Sequence, residues 1–225
     1  MMFKALAVDV DGTITDSSKR IEALGIDTLR QVEAAGLPVI LATGNVLPIA
    51  HGLASFIGLS GPVVAETGGV VSYRRDIHVL EDGEESRRAF RHLQGRMSVQ
   101  RLFTDNWRVS EVALMPDADA EVVAEELRDF DIRVEATGFA VHLLAPHHSK
   151  MKGVRKAAEL LGIGTEEILA IGDSDNDISM LSGCGKGVAL ANASPGAKAA
   201  ATLVTRGRHS QGVREALLQL GVIKE

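Results

Sequence analysis

Ala5-Leu6-Ala7-Val8-Asp9-Val10-Asp11-Gly12-Thr13 is the stretch on which the reading of the chain turns. A short apolar run stopped by glycine predicts a buried strand. Side chains alternate along a strand, so Asp9 and Asp11 share a side and lie close together at its C-terminal end. Open α/β sheets bind ligands in that region. Two carboxylates a few ångströms apart repel by ~4 kcal/mol at an effective dielectric near 20. A divalent cation offsets that repulsion, and hard oxygen ligands suit magnesium. A plain pair of turn aspartates is the other reading of these residues, because Asp-Gly is a common turn signal.

The rest of the chain decides between them. A second apolar run, residues 38–42, ends in Thr43-Gly44-Asn45, and a third, 62–65, ends at Glu66-Thr67-Gly68-Gly69. Residues 168–171 form a fourth, ending in Gly172-Asp173-Ser174-Asp175-Asn176-Asp177, and 187–190 a fifth, followed by Asn192. Leu203-Val204 is a short further strand. Helices are expected between them: one carrying Ile26, Leu29 and Val32 and ended by Gly36, one over 46–57 with Pro48 in its first turn, and one over 151–161. A short helix is opened by Ser194-Pro195, and a last one spans 213–220. Strands apolar on both faces and alternating with helices predict an α/β fold with a doubly wound parallel sheet.

The pattern changes at residues 79–84, a polar linker. A charged helix over 84–94, a strand over 109–115, an amphipathic helix over 120–130 and a hairpin of 132–136 with 139–143, separated by Thr137-Gly138, follow. Residues 82–148 are therefore expected to be a small α+β domain inserted into a core of 1–81 and 149–225.

The 225 residues are 45% hydrophobic and 24% charged, an ordinary globular composition, with a formal net charge of −6. No basic stripe with interleaved aromatics is present, so no nucleic-acid partner is expected. No apolar run approaches the about 20 residues of a membrane span, so no membrane is expected either. Cys184 stands alone and forms no intrachain disulfide, and no export signal is read at the N-terminus; a cytoplasmic location is expected. The oligomeric state is not legible.

Taken together, these clusters resemble the haloacid dehalogenase superfamily of phosphatases. Its first motif, Asp-x-Asp-Gly-Thr, stands as Asp9-Val10-Asp11-Gly12-Thr13, its second as Thr43, its third as Lys150, and its fourth as Gly172-Asp173 through Asp177. The likeness runs nearly end to end, including Ala191-Asn192-Ala193, Lys198 and Gly212-Val213. The position of the insertion is similar to that of members with an α+β cap on a Rossmann-like core. The small cap and the Ala65-Glu66-Thr67-Gly68-Gly69 stretch are similar to archaeal phosphoglycolate phosphatases. The resemblance implies a magnesium-dependent phosphomonoesterase that acts on a small phosphorylated metabolite. 2-Phosphoglycolate is the expected substrate, and a sugar phosphate or mannosyl-3-phosphoglycerate the alternative. It implies Asp9 as nucleophile, forming an aspartyl-phosphate, and Asp11 as acid and then base. It implies Asp9, Asp173 and the Asp11 backbone carbonyl as magnesium ligands with Asp177 close by, and Thr43, Gly44 and Lys150 as phosphate-binding groups. A phospho-accepting signalling domain also uses an acidic cluster with Thr and Lys, but its aspartate follows an internal strand and it needs no cap.

The lysine is chosen by register. Val154, Ala157, Ala158 and Leu161 form a buried helix face, and position 150 continues it, whereas Lys152 falls with Arg155, Lys156 and Glu159 on the solvated face. Other features are expected to be structural or solvated. Residues 173–177 mimic an EF-hand start but lack its later Gly and Glu. His147 and His148 are read as solvated linker residues, His142 as facing the cap sheet, and Arg101 and Arg108 as surface charge. Glu66 is read either as a cap-junction residue or as a simple strand end.

Overall fold

The computed structural model describes residues 3–137 and 139–224; Gly138, named above within the hairpin, lies outside them. Strand β1 (Ala5–Val8) is fully buried in the middle of an eight-stranded sheet. Leu6 and Val8 pack into one hydrophobic layer, Ala5 and Ala7 into the other. The same alternation holds for β2 (Val39–Ala42): Val39 and Leu41 face one layer, Ile40 and Ala42 the other. Burial on both faces is why these strands read as unbroken apolar runs.

β1 pairs in parallel with β2 on one side and, on the other, with β9 (Ile168–Gly172). β3 (Val63–Ala65) extends the sheet beyond β2. β10 (Lys186–Ala189) and β11 (Leu203–Val204) extend it beyond β9, all in parallel. The chain thus winds outward from β1 in two directions. The crevice at the carboxyl ends of such strands, where the winding reverses, is where open α/β sheets bind ligands.

Helices cover both faces. α1 (Ala23–Ala34), α2 (Leu47–Ile57) and α8 (His209–Gln219) bury Leu29, Val32, Ala54, Ile57, Val213 and Leu217 on one face. α5 (Lys150–Leu161), α6 (Ile178–Gly183) and α7 (Pro195–Ala200) cover the other with Val154, Ala157, Ala158, Leu181 and Ala197. The capping follows the sequence signals: Ser194 accepts a hydrogen bond from the Ala197 amide, and α2 ends at Gly58 with a left-handed φ of 91°. α8 begins at His209 rather than at Val213, because its first turn is polar and carries no apolar period. Among the described residues, no helix is long and apolar enough to cross a membrane.

The sheet is wider than the sequence pattern indicated. β4 (Val70–Tyr73) and β5 (Asp76–Val79) form an antiparallel hairpin that continues β3 to the sheet edge. Its tip is Arg74-Arg75, with Arg74 itself at φ 57°, so the usual glycine or asparagine turn signal is missing.

The inserted segment holds a second sheet. α3 (Glu84–Gln94), β6 (Val112–Leu114), α4 (Ala120–Glu126), β7 (Arg133–Ala136) and β8 (Val141–Leu144) form a three-stranded antiparallel sheet, order β6-β8-β7, with two helices. Ala89, Phe90, Leu93, Val112, Leu114, Val123, Leu127, Val141 and Leu143 make its own hydrophobic cluster. β6 is shorter than the expected 109–115, because the Val109 and Ser110 amides both donate to Glu66 Oε2 instead of pairing in the sheet. α4 stops at Glu126, short of the expected 130.

Two residues expected in solvent are buried. His148 donates a ring N–H to the Glu66 carbonyl. Arg108 has a fully buried guanidinium, paired with Glu111 and donating to the Gly44 carbonyl at 2.9 Å. A buried charge is tolerated only with partners; Glu111 is close to Arg108 in sequence, but the Gly44 and Glu66 carbonyls are brought up by long-range packing. Arg101 and His147 do lie exposed.

Burial alone would raise the pKa of Glu111, but Arg108 and His142 outweigh it and hold the carboxyl down at about 2. A folded-state value below the ordinary 4.5 contributes stability above that ordinary value and loses it as pH falls toward about 2. Glu111→Gln is expected to cost about 3–5 kcal/mol at neutral pH, as for one partner removed from a buried ion pair. The gap between wild type and variant in urea unfolding is expected to shrink as pH is lowered from about 4.5 toward about 2. A gap that does not change with pH would remove the ion-pair account.

Candidate active site

Three strand ends build the site. The Asp9 amide continues the β1–β9 ladder by donating to the Ile171 carbonyl, and the Thr43 amide continues β2–β3 by donating to the Val64 carbonyl. Both residues are therefore fixed by backbone pairing just beyond their strands. After β9 the chain turns sharply. Asp177 Oδ2 accepts from the amides of Asp173 and Ser174, each at 3.0 Å, which closes the turn and aims Asp173 toward β1. Gly172 is required there, because a Cβ would strike the Asp177 carboxyl.

The result is a compact acidic cluster. Asp9, Asp173 and Asp177 each offer a carboxylate oxygen within 4.8 Å of the others. Lys150, at the start of α5 and fully buried, sends Nζ to Asp9 Oδ1 at 2.5 Å and to Asp177 Oδ1 at 2.6 Å. Burial alone would lower the lysine's pKa; the Asp177 and Asp9 carboxylates outweigh it and hold the ammonium above its ordinary value. Lys152 instead points away, bonding the Leu80 carbonyl and Glu81. One lysine faces three carboxylates, and the excess negative charge is visible in the acids. Burial pushes Asp9 well above the usual carboxylate range; Lys150 opposes this, and Asp177, Asp173 and Asp11 add to it. Burial and then Asp177 push Asp173 up to about 6.

A hard divalent cation fits this donor set. The cluster sets three carboxylates against the single ammonium of Lys150, so it supplies oxygen ligands with uncompensated negative charge. The Asp11 side chain does not belong to the cluster; its Oδ2 accepts from Asn45 Nδ2 at 3.0 Å. Burial raises its pKa, against the pull of Lys150, Lys19 and Asn45.

A cavity of about 450 Å³ opens over these groups. Asp9, Asp11, Gly44 and Asp173 line it from the large sheet, and Glu135, Thr137 and Phe139 from the inserted segment. Thr43 is buried beside Gly44; its hydroxyl oxygen accepts from the Asn45 amide, leaving the O–H to donate. The Phe139 ring lies 3.5 Å from where a side chain on Gly44 would begin, so the inserted segment reaches down to the Gly44 loop.

Further residues tie the turns of the site together. Asn192 Nδ2 donates to Asp173 Oδ2 and to the Gly12 carbonyl, both at 2.9 Å, and a His209 ring N–H donates to the same carbonyl at 2.8 Å. Thr13 Oγ1 donates to Asp173 Oδ1 at 3.3 Å. Gly12 itself sits at φ 83°, and a Cβ there would collide with Asp173. Asn192 is signalled by its place after an apolar strand, as Thr43 is; nothing local marks His209. Glu66 lies at the junction: its Oε2 gathers the Val109 and Ser110 amides and the Ser110 hydroxyl.

The haloacid dehalogenase-like hydrolase family matches this chain over residues 6–94 and 110–217, and the protein belongs to that family. Among relatives, it is 44% identical to a protein of Methanothermobacter thermautotrophicus named phosphoglycolate phosphatase, over 95% of this chain and 97% of that one. It is 39% identical to the protein of the same name from Archaeoglobus fulgidus, over 98% of each. Among solved structures, one from Thermoplasma acidophilum superposes with a TM-score of 0.92 at 28% identity, covering 99% of this chain and 100% of that one. A haloacid dehalogenase-like hydrolase from Bacteroides thetaiotaomicron superposes at 0.83 with 22% identity, covering 97% and 99%, and so shares the fold.

Proposed function

We propose that this protein is a phosphatase that hydrolyses a small phosphate monoester, 2-phosphoglycolate, to glycolate and phosphate. The observation that carries the reading is Asp9. Its buried carboxylate has one oxygen anchored by Lys150 and the other free, beneath a cavity sized for a small metabolite. The near full-length relatives named phosphoglycolate phosphatase support the substrate.

Asp9 attacks phosphorus; the new Asp–phosphorus bond forms as the ester bond breaks, and the leaving oxygen takes a proton from Asp11. A protonated Asp11 is favoured by the burial that raises its pKa. Asp11 then takes a proton from water, which attacks phosphorus and releases phosphate from Asp9. Asp9, Asp173 and the Asp11 carbonyl would hold magnesium, with Asp177 fixing the turn that presents Asp173. The cation, when bound, neutralises the phosphate charge. Thr43, Gly44 and Lys150 bind and orient the phosphate oxygens. Residues 82–148 act as a cap over a core of 1–81 and 149–225, shielding the site from water and rejecting bulky esters. The working location is the cytoplasm.

A panel of phosphate esters assayed with and without magnesium tests this. 2-Phosphoglycolate is expected to give the highest kcat/KM, and chelation to remove activity. Preference for a neutral sugar phosphate would replace the substrate, and stable phosphorylation without turnover would favour a signalling role. Phe139 marks the cap's contribution. Phe139→Ala is expected to raise kcat/KM for a hexose phosphate relative to 2-phosphoglycolate by about tenfold, the scale of a lost steric contact in a pocket. An unchanged ratio would leave the cap a structural element only.

A further inference from the structure

The site described above explains how a phosphate is held but not how a carboxylate at the other end of the same small molecule is tolerated. The cavity is lined by six carboxylates: Asp9, Asp11, Asp16, Glu135, Asp173 and Asp175. Lys150 lies beneath its floor and is already occupied by Asp9 and Asp177. Among the described residues lining the cavity, Lys19 is the one cation. A substrate whose alcohol part carries a carboxylate therefore meets repulsion on every side but one.

Lys19 is held in place by its loop. Asp16 Oδ1 accepts from the Ser18 amide at 2.8 Å and from the Arg20 amide at 3.0 Å, and the Lys19 amide donates to the Asp16 carbonyl at 2.9 Å. A Thr15–Ile21 bridge closes the base of this loop. The turn puts Lys19 itself at φ 61°, in the left-handed region that non-glycine residues seldom adopt. Its Nζ reaches across to the cap and stands 4.8 Å from the centre of the Phe139 ring. Phe139 in turn packs beside Gly44, where the phosphate is placed. Among the described residues, no carboxylate oxygen comes within the 4.0 Å of an ion pair with Lys19. The ammonium is thus presented to the cavity by the core, steadied by an aromatic face of the cap, and left without an anionic partner.

We infer that Lys19 is the specificity residue of this enzyme: it binds the carboxylate of the substrate's alcohol portion. The inference rests on the phosphatase reading above. It makes the preferred substrates phosphate esters of short hydroxy acids, in which one or two carbons separate the ester oxygen from the carboxylate. Neutral esters gain nothing from Lys19. The ammonium contacts the substrate only at its non-reacting end, so its contribution is to binding rather than to the chemical step.

The test is steady-state kinetics with saturating magnesium on wild type, Lys19→Ala, Lys19→Arg and Lys19→Glu. The substrates are 2-phosphoglycolate, p-nitrophenyl phosphate and the cationic ester phosphoethanolamine. In Lys19→Ala, the loss of kcat/KM on 2-phosphoglycolate is expected to exceed the loss on p-nitrophenyl phosphate by at least about tenfold, the scale of one charged hydrogen bond, and to fall mainly on KM. Lys19→Arg is expected to recover most of it, and Lys19→Glu to move preference toward phosphoethanolamine. Equal losses on both esters, or a loss confined to kcat, overturn the assignment. A wild type that favours 2-phosphoglycolate, with Lys19→Ala keeping that preference, overturns this inference alone. A wild type that hydrolyses esters without favouring the carboxylate-bearing one overturns the substrate reading along with it.

Discussion

Asp9→Asn is expected to lower kcat by at least ~10⁴-fold on every phosphate ester, the scale seen when a nucleophile is removed. The amide keeps the shape of the side chain but is a poor nucleophile, so the backbone pairing of Asp9 with Ile171 should hold and the variant should fold. Its thermal transition should stay close to that of wild type. The substitution removes a charge from an overcrowded acidic cluster, and it also takes one carboxylate from Lys150. Asp11→Asn behaves differently: it should still bind ester, while losing both proton transfers. Substantial turnover by a folded Asp9→Asn protein, measured by phosphate release, would end the covalent mechanism.

The second large effect separates two lysines. Lys150→Ala is expected to reduce kcat/KM by at least ~10²-fold, the loss of an oriented charge in a water-poor site, while Lys152→Ala stays within a few-fold of wild type. The geometry behind this is unambiguous: Lys150 Nζ touches Asp9 and Asp177, and Lys152 Nζ touches Glu81 and the Leu80 carbonyl. Removing Lys150 also leaves two buried carboxylates without their counter-charge, so the variant must be assayed where circular dichroism shows it folded. Lys150→Arg keeps the charge with a different shape and should fall between wild type and Lys150→Ala. If Lys152→Ala were the more damaging variant, the phosphate site would have to be rebuilt around the other face of α5.

The parts of the molecule that were legible beforehand share a physical cause. β1, β2 and β9 are buried on both faces, so their apolar runs stood out and their polar ends marked the site. Lys150 could be placed because helix periodicity fixes which of two lysines shares the buried face with Val154 and Ala157. The parts that were not legible depend on how segments pack together rather than on their own pattern. Arg108 reads as a surface arginine until Glu111 and the Gly44 carbonyl are seen around it. His148 reads as a linker histidine until the Glu66 carbonyl is found at its ring. The β4–β5 hairpin is hidden because two arginines form its turn and one of its strands lies on the sheet edge, where residues need not be apolar. His209 supports the Gly12 turn through one hydrogen bond to a backbone carbonyl, an arrangement that leaves no local pattern.

The central claim is that the free oxygen of Asp9 is the atom that takes the phosphoryl group. Beryllium fluoride mimics a phosphoryl group on a carboxylate, and a crystal structure of the protein with beryllium fluoride and magnesium reads out its position directly. The account predicts beryllium bonded to Asp9 Oδ2, with fluorides facing Thr43, Gly44 and Lys150. Beryllium bonded to Asp11 or Asp173, or a fluoride complex bound in the cavity with Asp9 left untouched, would contradict it.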